Sequence, residues 1–317
     1  MICCFHQSTG GLTVAKRERN VLRFNIQRKI VATMTTASWR HIPHVSFIYD
    51  ADVTDFVEAY KQFDEATPYH ITFNTVMLKA LSEGIKAAPR INAHMHYEPR
   101  LVRGKLTFYD NIDISVPWML PDGNMMTITM KDMGNKSLKE MTEYVEDINR
   151  RLRNTNLTEA LYSVSIRDTM EQLRQGHFLS SIQRLYGSKT NPRHRVTPLK
   201  GREKEEYDRI PPTEKITIDD LKQGTITISN VGAAAKGIKG ALDMLMIVPP
   251  QICAIGISSM QRRPTVITDE EGNEKVEIRT ILPMCICFDH RALDFGEVSP
   301  FIKKMEEIFK DPWLVMN

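Results

Sequence analysis

The sequence has little excess of charge of either sign. Its 42 Lys and Arg residues barely outnumber its 39 Asp and Glu residues among 317 residues, and so small a net charge gives no field that would attract nucleic acid or an anionic membrane. No apolar run reaches the roughly 18 residues that crossing a bilayer requires, and the N-terminal segment lacks the apolar core of a signal peptide. We therefore expect no nucleic acid and no membrane among its partners.

Cysteine is also scarce, and its spacing argues against two kinds of site. The five cysteines form neither the spaced pairs of a zinc site nor the even framework of a secreted disulfide scaffold. We expect reduced thiols and a cytoplasmic protein. Cys285 and Cys287 flank one isoleucine and allow two interpretations, reactive thiols or small buried apolar side chains, of which the second is favoured.

Two histidines share one face of a predicted strand. In the segment NAHMHYE, His94 and His96 are two residues apart, which places their side chains on the same side of a β-strand. Two imidazoles can begin a metal site, but no third ligand is evident nearby, and a zinc site needs at least three. We expect packed or surface histidines and no metal.

The apolar pattern is that of an α/β protein. Apolar residues recur at helical spacing in residues 71–89 and 136–154, and shorter or alternating runs predict strands, which outnumber helices in the C-terminal third. Residues 155–215 differ, because a helical segment with Ile166 and Met170 along one face is followed by a polar, proline-punctuated stretch. That face most simply packs on its own domain, and the alternatives are a partner-docking surface and a membrane-surface helix. We interpret residues 1–27 as an N-terminal extension and residues 28–317 as one domain with a partly helical excursion inserted at about 155–215.

Six sequence blocks, taken in order, resemble one family. They are IPHVSFIYDADVT, LKALSEGIKAAPRINAH, PDGNMMTITMKDMGNKSLKEM, GTITISNVG, VPPQICAIGI and CFDHRALD. Together they resemble the catalytic domain of the 2-oxoacid dehydrogenase acyltransferase (dihydrolipoamide acyltransferase) family, which is related to chloramphenicol acetyltransferase. The resemblance implies the coenzyme A-dependent acyltransferase fold for residues 28–317, with a mixed β-sheet flanked by helices, and a trimer.

The resemblance also assigns catalytic roles to three residues. His290 matches the family's general base, which takes a proton from the thiol of coenzyme A or dihydrolipoamide, and Ser229 matches the hydroxyl that stabilises the oxyanion. Asp294 matches an aspartate whose ion pair, often with an arginine, holds the loop. In the family the histidine of one subunit lies opposite the serine of its neighbour. An imidazole suits a general base because its ordinary pKa of about 6.5 leaves much of it neutral near pH 7.

The motif departs from the family pattern directly after Asp294. Phe295 stands where the family has glycine, so the neighbourhood of His290 is altered. Asp294 also suits the N-cap of the helix predicted to follow, because aspartate is favoured at that position. The altered motif leaves two readings, an active enzyme and a non-enzymatic trimeric scaffold derived from this family.

No segment resembles the lipoyl domains that full-length family members carry, and residues 1–27 are too few to form one. We therefore expect coenzyme A as a substrate, no covalently bound lipoyl group in this chain, and a separate lipoyl carrier protein. We expect a homotrimer and leave open its assembly into a larger cage. The alternative acceptor is the hydroxyl or amine of a small molecule, for a coenzyme A-dependent O- or N-acyltransferase.

Overall fold

A computed structural model describes residues 23–119, 125–174, 198–234, 240–269 and 271–316. The helices are α1 Ile26–His41, α2 Thr54–Ala66, α3 Phe73–Ala87, α4 Leu138–Arg153, α5 Leu157–Arg174, α6 Gly201–Arg209, the single turn α7 Val231–Ala234, and α8 Phe295–Lys310. The strands are β1 His44–Asp52, β2 Ala93–Glu98, β3 Arg103–Phe108, β4 Ile114–Met119, β5 Met125–Met130, β6 Ile226–Asn230, β7 Cys253–Ile257, β8 Gln261–Thr268 and β9 Glu274–Asp289. Within these ranges no helix has both the length and the apolar character needed to cross a membrane.

The main sheet is mixed. Its strand order is β1-β9-β7-β6-β4-β5, and β8 pairs with the first part of β9. Strand β6 runs parallel to both of its neighbours, β4 and β7, whereas the other pairs are antiparallel. The predicted fold class, a mixed sheet flanked by helices, is confirmed.

Helix α8 packs closely against helix α3. Phe301 and Met305 of α8 are fully buried, and Gly84 of α3 lies against both side chains. A Cβ atom at Gly84 would lie 2.8 Å from the ring of Phe301, so the absence of a side chain permits this approach. Phe56 of α2 adds an edge-to-face contact with Phe309, at 5.2 Å between ring centroids. The three helices together cover one face of the sheet.

The second half of β9 lies at the centre of the sheet. Residues 281–289 are buried, because β1 pairs with one side of the strand and β7 with the other. Successive side chains point to opposite faces. Ile286 and Phe288 therefore join the core beneath the helices, whereas Cys285 and Cys287 join a smaller apolar cluster with Ile247 on the other face. His290 follows this strand directly.

Strands β2 and β3 form a separate hairpin. Their residues pair in register from Ala93 with Phe108 to Glu98 with Arg103. The backbone N–H of Met95 donates to the carbonyl of Pro250 at 2.8 Å. This bond ties the base of the hairpin to the main body and leaves its far end free to project.

The helix predicted at the start of the excursion is α5, and it packs differently from the prediction. Ala160 is buried and Leu161 packs against the core, but Ile166 and Met170 are exposed. The predicted packed face is therefore wrong at these two positions, since the helical period does not tell which stripe meets the core. Residues 175–197, which include the rest of the predicted helix, lie outside the described part.

Helix α6 lies in the polar, proline-punctuated stretch of the excursion. Its residues are almost all polar, so no apolar period indicates a helix. Side chains one turn apart pair instead, Arg202 with Glu206 and Lys204 with Asp208, each at 2.8 Å. Such pairs stabilise an exposed helix.

Candidate active site

His290 lies in a tight loop between β9 and α8. Its backbone N–H donates to the carbonyl of Pro43 at 3.1 Å, and the carbonyl of Asp289 accepts from the N–H groups of Ala292 and Leu293 at 2.9 and 3.0 Å. These bonds hold the loop to the segment before β1 and fold it back on itself. The imidazole is 53% exposed, so a substrate can reach it from outside the chain.

The surroundings of His290 assign its tautomer. Nδ1 lies 3.1 Å from the carbonyl oxygen of Leu293 and 3.3 Å from a carboxylate oxygen of Asp294. Both neighbours are acceptors, so in the neutral imidazole Nδ1 carries the hydrogen. The lone pair is then on Nε2, which is the atom able to take a proton from a substrate.

Asp294 caps helix α8 as well as contacting His290. It occupies the N-cap position, and the carboxylate of Glu297 accepts a hydrogen bond from its backbone N–H at 2.7 Å, which satisfies a donor that the first turn leaves free. The resemblance implies an ion pair for Asp294, often with an arginine. Among the described residues its ion-pair contact is with His290.

The arginine pair in this loop belongs to Asp289, a residue that the sequence analysis missed. The Nε and Nη2 groups of Arg291 donate to its two carboxylate oxygens at 2.9 and 2.6 Å, and the Arg291 backbone N–H adds a third bond at 3.0 Å. Asp289 is only 1% exposed, and such two-point pairs are strong and directional. The guanidinium carbon also lies 5.4 Å from the centre of the Tyr97 ring. The sequence signal for this pair is the triplet DHR, in which an acid at the end of an apolar run lies two residues before an arginine. A buried acid is usually paired with such a base.

Phe295 begins helix α8 and turns its ring toward strand β1. The ring lies against Phe47, with 4.8 Å between centroids and a tilt of 53°. Phe295 remains 46% exposed. The substituted side chain thus has a packing partner in the same chain, while the imidazole of His290 stays accessible.

Ser229 lies on the central parallel strand β6, 8% exposed. It pairs with Gly256 of β7, which in turn pairs with Cys285 of β9, so these residues form one row across the sheet. A Cβ at Gly256 would lie 2.6 Å from both the sulfur of Cys285 and a methyl of Leu242. The Ser229 hydroxyl makes no hydrogen bond to another described residue.

One chain does not bring Ser229 and His290 together. Ser229 lies level with Cys285, and His290 is five residues farther along β9. At about 3.4 Å per residue the two are about 17 Å apart along the strand direction alone, with strand β7 between their strands. Any shared site therefore needs a second chain.

An uncharged cavity of about 370 Å³ opens where β6 and β7 end. Asn230, the residue after Ser229, lies on its wall and donates from its side-chain amide to Oδ1 of the Asn74 side chain at 2.8 Å. The other lining residues are apolar or carry hydroxyl groups, and they are Thr72, Phe73, Gly232, Ala233, Ile257, Ser258, Ser259, Met260 and Leu282. Such a lining suits an uncharged, partly polar ligand.

The three described cysteines are fully buried. Burial raises the pKa of Cys253, and a hydrogen bond to Cys287 together with burial raises that of Cys285. The hydrogen bond from the Cys285 thiol lowers the pKa of Cys287, helped by the backbone N–H of Leu245. Because the sulfurs of Cys285 and Cys287 are inside the protein, the favoured interpretation as small core side chains is confirmed for these two residues. Cys3 and Cys4 lie outside the described residues.

His94 uses both ring nitrogens within the protein. Nε2 lies 2.9 Å from the carbonyl oxygen of Gly224, and Nδ1 lies 3.0 Å from the hydroxyl of Tyr109. His96 is exposed. Within the described ranges no group of three or more His, Cys, Asp or Glu side chains could hold a metal ion. His94 is thus a packed histidine and His96 a surface one.

Comparison with known proteins links this geometry to relatives of low identity. The chain is 23% identical over 280 residues to the dihydrolipoyllysine-residue acetyltransferase component of the pyruvate dehydrogenase complex of Mycobacterium bovis, covering 87% of this chain and 38% of that protein. Its fold matches the dihydrolipoamide acetyltransferase of Azotobacter vinelandii, a structure examined for catalytic roles of a serine, a histidine and an asparagine (TM-score 0.59, 18% identity, 95% of each chain). It also matches the cubic core of the pyruvate dehydrogenase multienzyme complex (TM-score 0.60, 18% identity, 95% of each chain).

A family model covers most of the sequence. The model of the 2-oxoacid dehydrogenases acyltransferase (catalytic domain) matches residues 16–163 and 206–317. The unmatched residues between these parts fall within the predicted excursion. The chain therefore belongs to the 2-oxoacid dehydrogenase acyltransferase family, in its catalytic domain.

Proposed function

We propose that this protein transfers a small acyl group between coenzyme A and the thiol of a dihydrolipoyl group on a separate carrier. The observation that carries the proposal is that one chain supplies both a half-exposed imidazole, His290, and a buried hydroxyl, Ser229, that lacks a partner among the described residues. Family membership supports acyl transfer as the reaction class. The chain spans 38% of the length of the M. bovis relative, and the substrates are proposed from the site.

In the proposed reaction, His290 acts as the general base. Its Nε2 takes the proton of the attacking thiol, and the sulfur adds to the thioester carbonyl carbon. Ser229 Oγ–H donates to the resulting oxyanion, and one such donor is typically worth about 10²–10³ in turnover. The tetrahedral intermediate then expels the leaving thiolate, which recovers the proton from the imidazolium. Charge and protons balance within one cycle.

Asp294 is proposed to hold His290 in the tautomer that this reaction needs. In the similar A. vinelandii enzyme, the asparagine examined for a catalytic role is four positions after the histidine. Asp294 has the same spacing from His290 and contacts Nδ1 at 3.3 Å. Its carboxylate also favours the imidazolium that forms during the reaction.

We place the complete site between subunits of a homotrimer. The separation of Ser229 from His290 within one chain supports this arrangement, as does the exposed apolar face of the β8–β9 hairpin, formed by Val266, Val276 and Ile278. A face of this kind indicates a protein contact. The similarity to a cubic core suggests that trimers assemble further into a cage.

Coenzyme A is proposed as a substrate, with its uncharged pantetheine arm in the cavity beside Asn230. The lining has amide and hydroxyl groups but no charge, which fits the arm better than the phosphates. We propose that the chain itself carries no covalently bound lipoyl group, and that the protein works in the cytoplasm, where its thiols stay reduced.

The test combines mass and activity. We expect a trimer mass and acetyl transfer from acetyl-coenzyme A to dihydrolipoamide, which His290→Ala lowers by about 10²–10⁴-fold. Full activity in His290→Ala would overturn the assignment. Transfer to hydroxyl or amine acceptors but not to dithiols would favour the small-molecule acyltransferase. Failure to bind coenzyme A at millimolar concentration would favour the non-enzymatic scaffold. The exposure of the His290 side chain, despite the substitution at Phe295, favours the enzyme.

A further inference from the structure

We infer that the far end of the β2–β3 hairpin is the docking surface for the acyl carrier, and that the carrier presents an acidic protein surface to it. The inference rests on the proposed function, since it names the partner of that site. The surface is the RLVR turn, defined as Arg100, Leu101, Val102 and Arg103.

The RLVR turn exposes apolar side chains at its tip. Leu101 is 61% exposed and Val102 is 78% exposed. Val102 has a φ of 50°, a left-handed conformation that costs energy in a β-branched residue. Such strain is concentrated at functional sites. A pair of exposed apolar residues held in a strained turn is suited to a protein contact.

Basic side chains surround this tip. Arg100, Arg103 and Lys105 are all exposed, and none of them forms an ion pair with a carboxylate in the described part of the chain. Glu98 is the single acidic residue between positions 94 and 108. The hairpin therefore concentrates positive charge on a chain that is nearly neutral overall, which favours an acidic partner.

The hairpin also lies beside the candidate base. The ring of Tyr97 lies on the guanidinium of Arg291, 5.4 Å from its carbon, and Arg291 follows His290 in the sequence. The RLVR turn begins three residues after Tyr97, so at about 3.4 Å per residue its start lies about 10 Å along the strand from this contact. A carrier docked at the turn can thus extend a flexible thiol arm to His290.

The shape of the turn argues for a protein rather than for coenzyme A. Small ligands are held in concave pockets that bury most of their surface. The RLVR turn is instead the projecting end of a two-stranded ribbon with both apolar residues in solvent. A broad protein surface can cover such a projection, and a single nucleotide cannot.

The experiment measures binding and turnover with the same probe, a reduced lipoylated carrier domain of net negative charge. One variant combines Arg100→Glu with Arg103→Glu, and a second combines Leu101→Ser with Val102→Gly, which also relieves the left-handed valine. The matched control combines Lys61→Glu with Arg202→Glu, which reverse the charge of two exposed residues on helices α2 and α6, outside the hairpin. Calorimetry gives the Kd for the domain, and steady-state kinetics gives KM for the domain, for free dihydrolipoamide and for acetyl-coenzyme A.

We expect the charge reversal to raise Kd and KM for the carrier domain about tenfold or more at low salt, with a smaller effect at high salt. We expect a rise for the second variant too. The control, and the KM values for free dihydrolipoamide and acetyl-coenzyme A, should stay within about twofold. Unchanged carrier binding in both variants, or no carrier binding by the unaltered protein, would overturn the inference, as would a rise in the acetyl-coenzyme A KM alone. Failure of the proposed function would be a separate result, because it would appear as a lack of acetyl transfer to free dihydrolipoamide.

Discussion

Asp289 and Arg291 form a two-point ion pair across the residue between them, His290. Two guanidinium nitrogens donate to the two carboxylate oxygens at 2.9 and 2.6 Å, and the aspartate is buried at the end of β9. The pair links the loop to the sheet on both sides of the imidazole. We interpret both residues as positioning residues that act through His290.

Arg291→Lys should therefore lower turnover without weakening substrate binding. Lysine keeps the positive charge but cannot make the two parallel bonds. A displacement of about 1 Å in a reacting group can cost about 10²-fold in rate, so we expect kcat to fall about 10- to 100-fold while KM for acetyl-coenzyme A stays within about twofold. Steady-state kinetics across a pH series makes the measurement, and the midpoint of the pH profile should be retained.

The same substitution at a neighbouring ion pair provides the control. Arg90 donates to Glu297 at 3.3 Å from an exposed position, and Arg90→Lys should leave kcat unaltered because exposed pairs contribute little. Wild-type kcat in Arg291→Lys would show that the loop holds His290 without this pair.

Ser229→Ala and His290→Ala should complement each other in mixed trimers. If the two groups meet only between subunits, a site formed by the serine of a His290→Ala chain and the histidine of a Ser229→Ala chain is intact. Random mixing gives that arrangement at about a quarter of the interfaces of a closed ring. We expect each variant alone to lose at least about 10²-fold in turnover, and the co-refolded mixture to recover up to about a quarter of wild-type activity.

The complementation assay needs equal amounts of the two chains and a control mixture in which both carry Ser229→Ala. No recovery in trimers shown to be mixed would place both groups in one subunit. That outcome would contradict the separation of the two residues along the sheet.

Phe295 and Phe47 should be coupled in stability but not in catalysis. Their rings are 4.8 Å apart, and aromatic pairs of this geometry are worth about 0.5–1.5 kcal/mol beyond their area. A double-mutant cycle with Phe47→Leu and Phe295→Leu, followed by urea unfolding, should give a coupling free energy in that range. Turnover should change less than about threefold in all three variants, because the two rings pack on each other while the His290 side chain stays 53% exposed.

Phe295→Gly tests directly whether the Phe295 ring obstructs the site. It restores the glycine of the family motif, removes the ring contact and should lower stability. A rise in kcat of tenfold or more would show that the ring obstructs the site, contrary to its packing on Phe47.

The sequence predicts the elements well where pattern and capping agree. Helix α4 has apolar residues on one face, and Ser137 is the N-cap residue before it. The Ser137 hydroxyl accepts from the N–H of Glu140 while the Glu140 carboxylate accepts from the N–H of Ser137, a reciprocal cap that a sequence can show. The second half of strand β9, residues 281–288, is an apolar run that ends just before Asp289 and His290. Local residues determine both features.

The sequence does not predict what depends on distant contacts. Ile166 and Met170 have the right spacing for a packed face yet are exposed, because only the tertiary fold determines which stripe of α5 is covered. Helix α6 has no apolar period to detect. The pair of Asp289 with Arg291 depends on the fold of the loop after β9, whereas the family motif points to Asp294. The distance from Ser229 to His290 follows from strand order, which a sequence does not give.

Asp220 and Arg151 should make the protein sensitive to acid. They form a nearly buried ion pair, with Arg151 nitrogens 2.5 and 3.1 Å from the two carboxylate oxygens. Burial alone would raise the pKa of Asp220, but hydrogen bonds from Arg151 and Thr217 outweigh burial and hold this pKa below its ordinary value. A carboxylate with a lowered folded-state pKa stabilises the protein fully above its unfolded pKa of about 3.9. That stabilisation is lost as pH falls through the folded-state value.

Asp220→Asn should therefore lower the free energy of unfolding at pH 7, by less than the about 3–5 kcal/mol expected when a buried charge loses its sole partner, because Asp147 still lies 3.5 Å from Arg151. The difference from the unaltered protein should shrink as pH falls below about 4, where Asp220 itself becomes protonated. Urea unfolding at several pH values makes the measurement. Asp219→Asn is the matched control, because Asp219 pairs with Lys222 at the surface and its loss should leave the unfolding curve unchanged. An equal loss of stability with acid in the protein and in Asp220→Asn would show that other carboxylates carry the acid response.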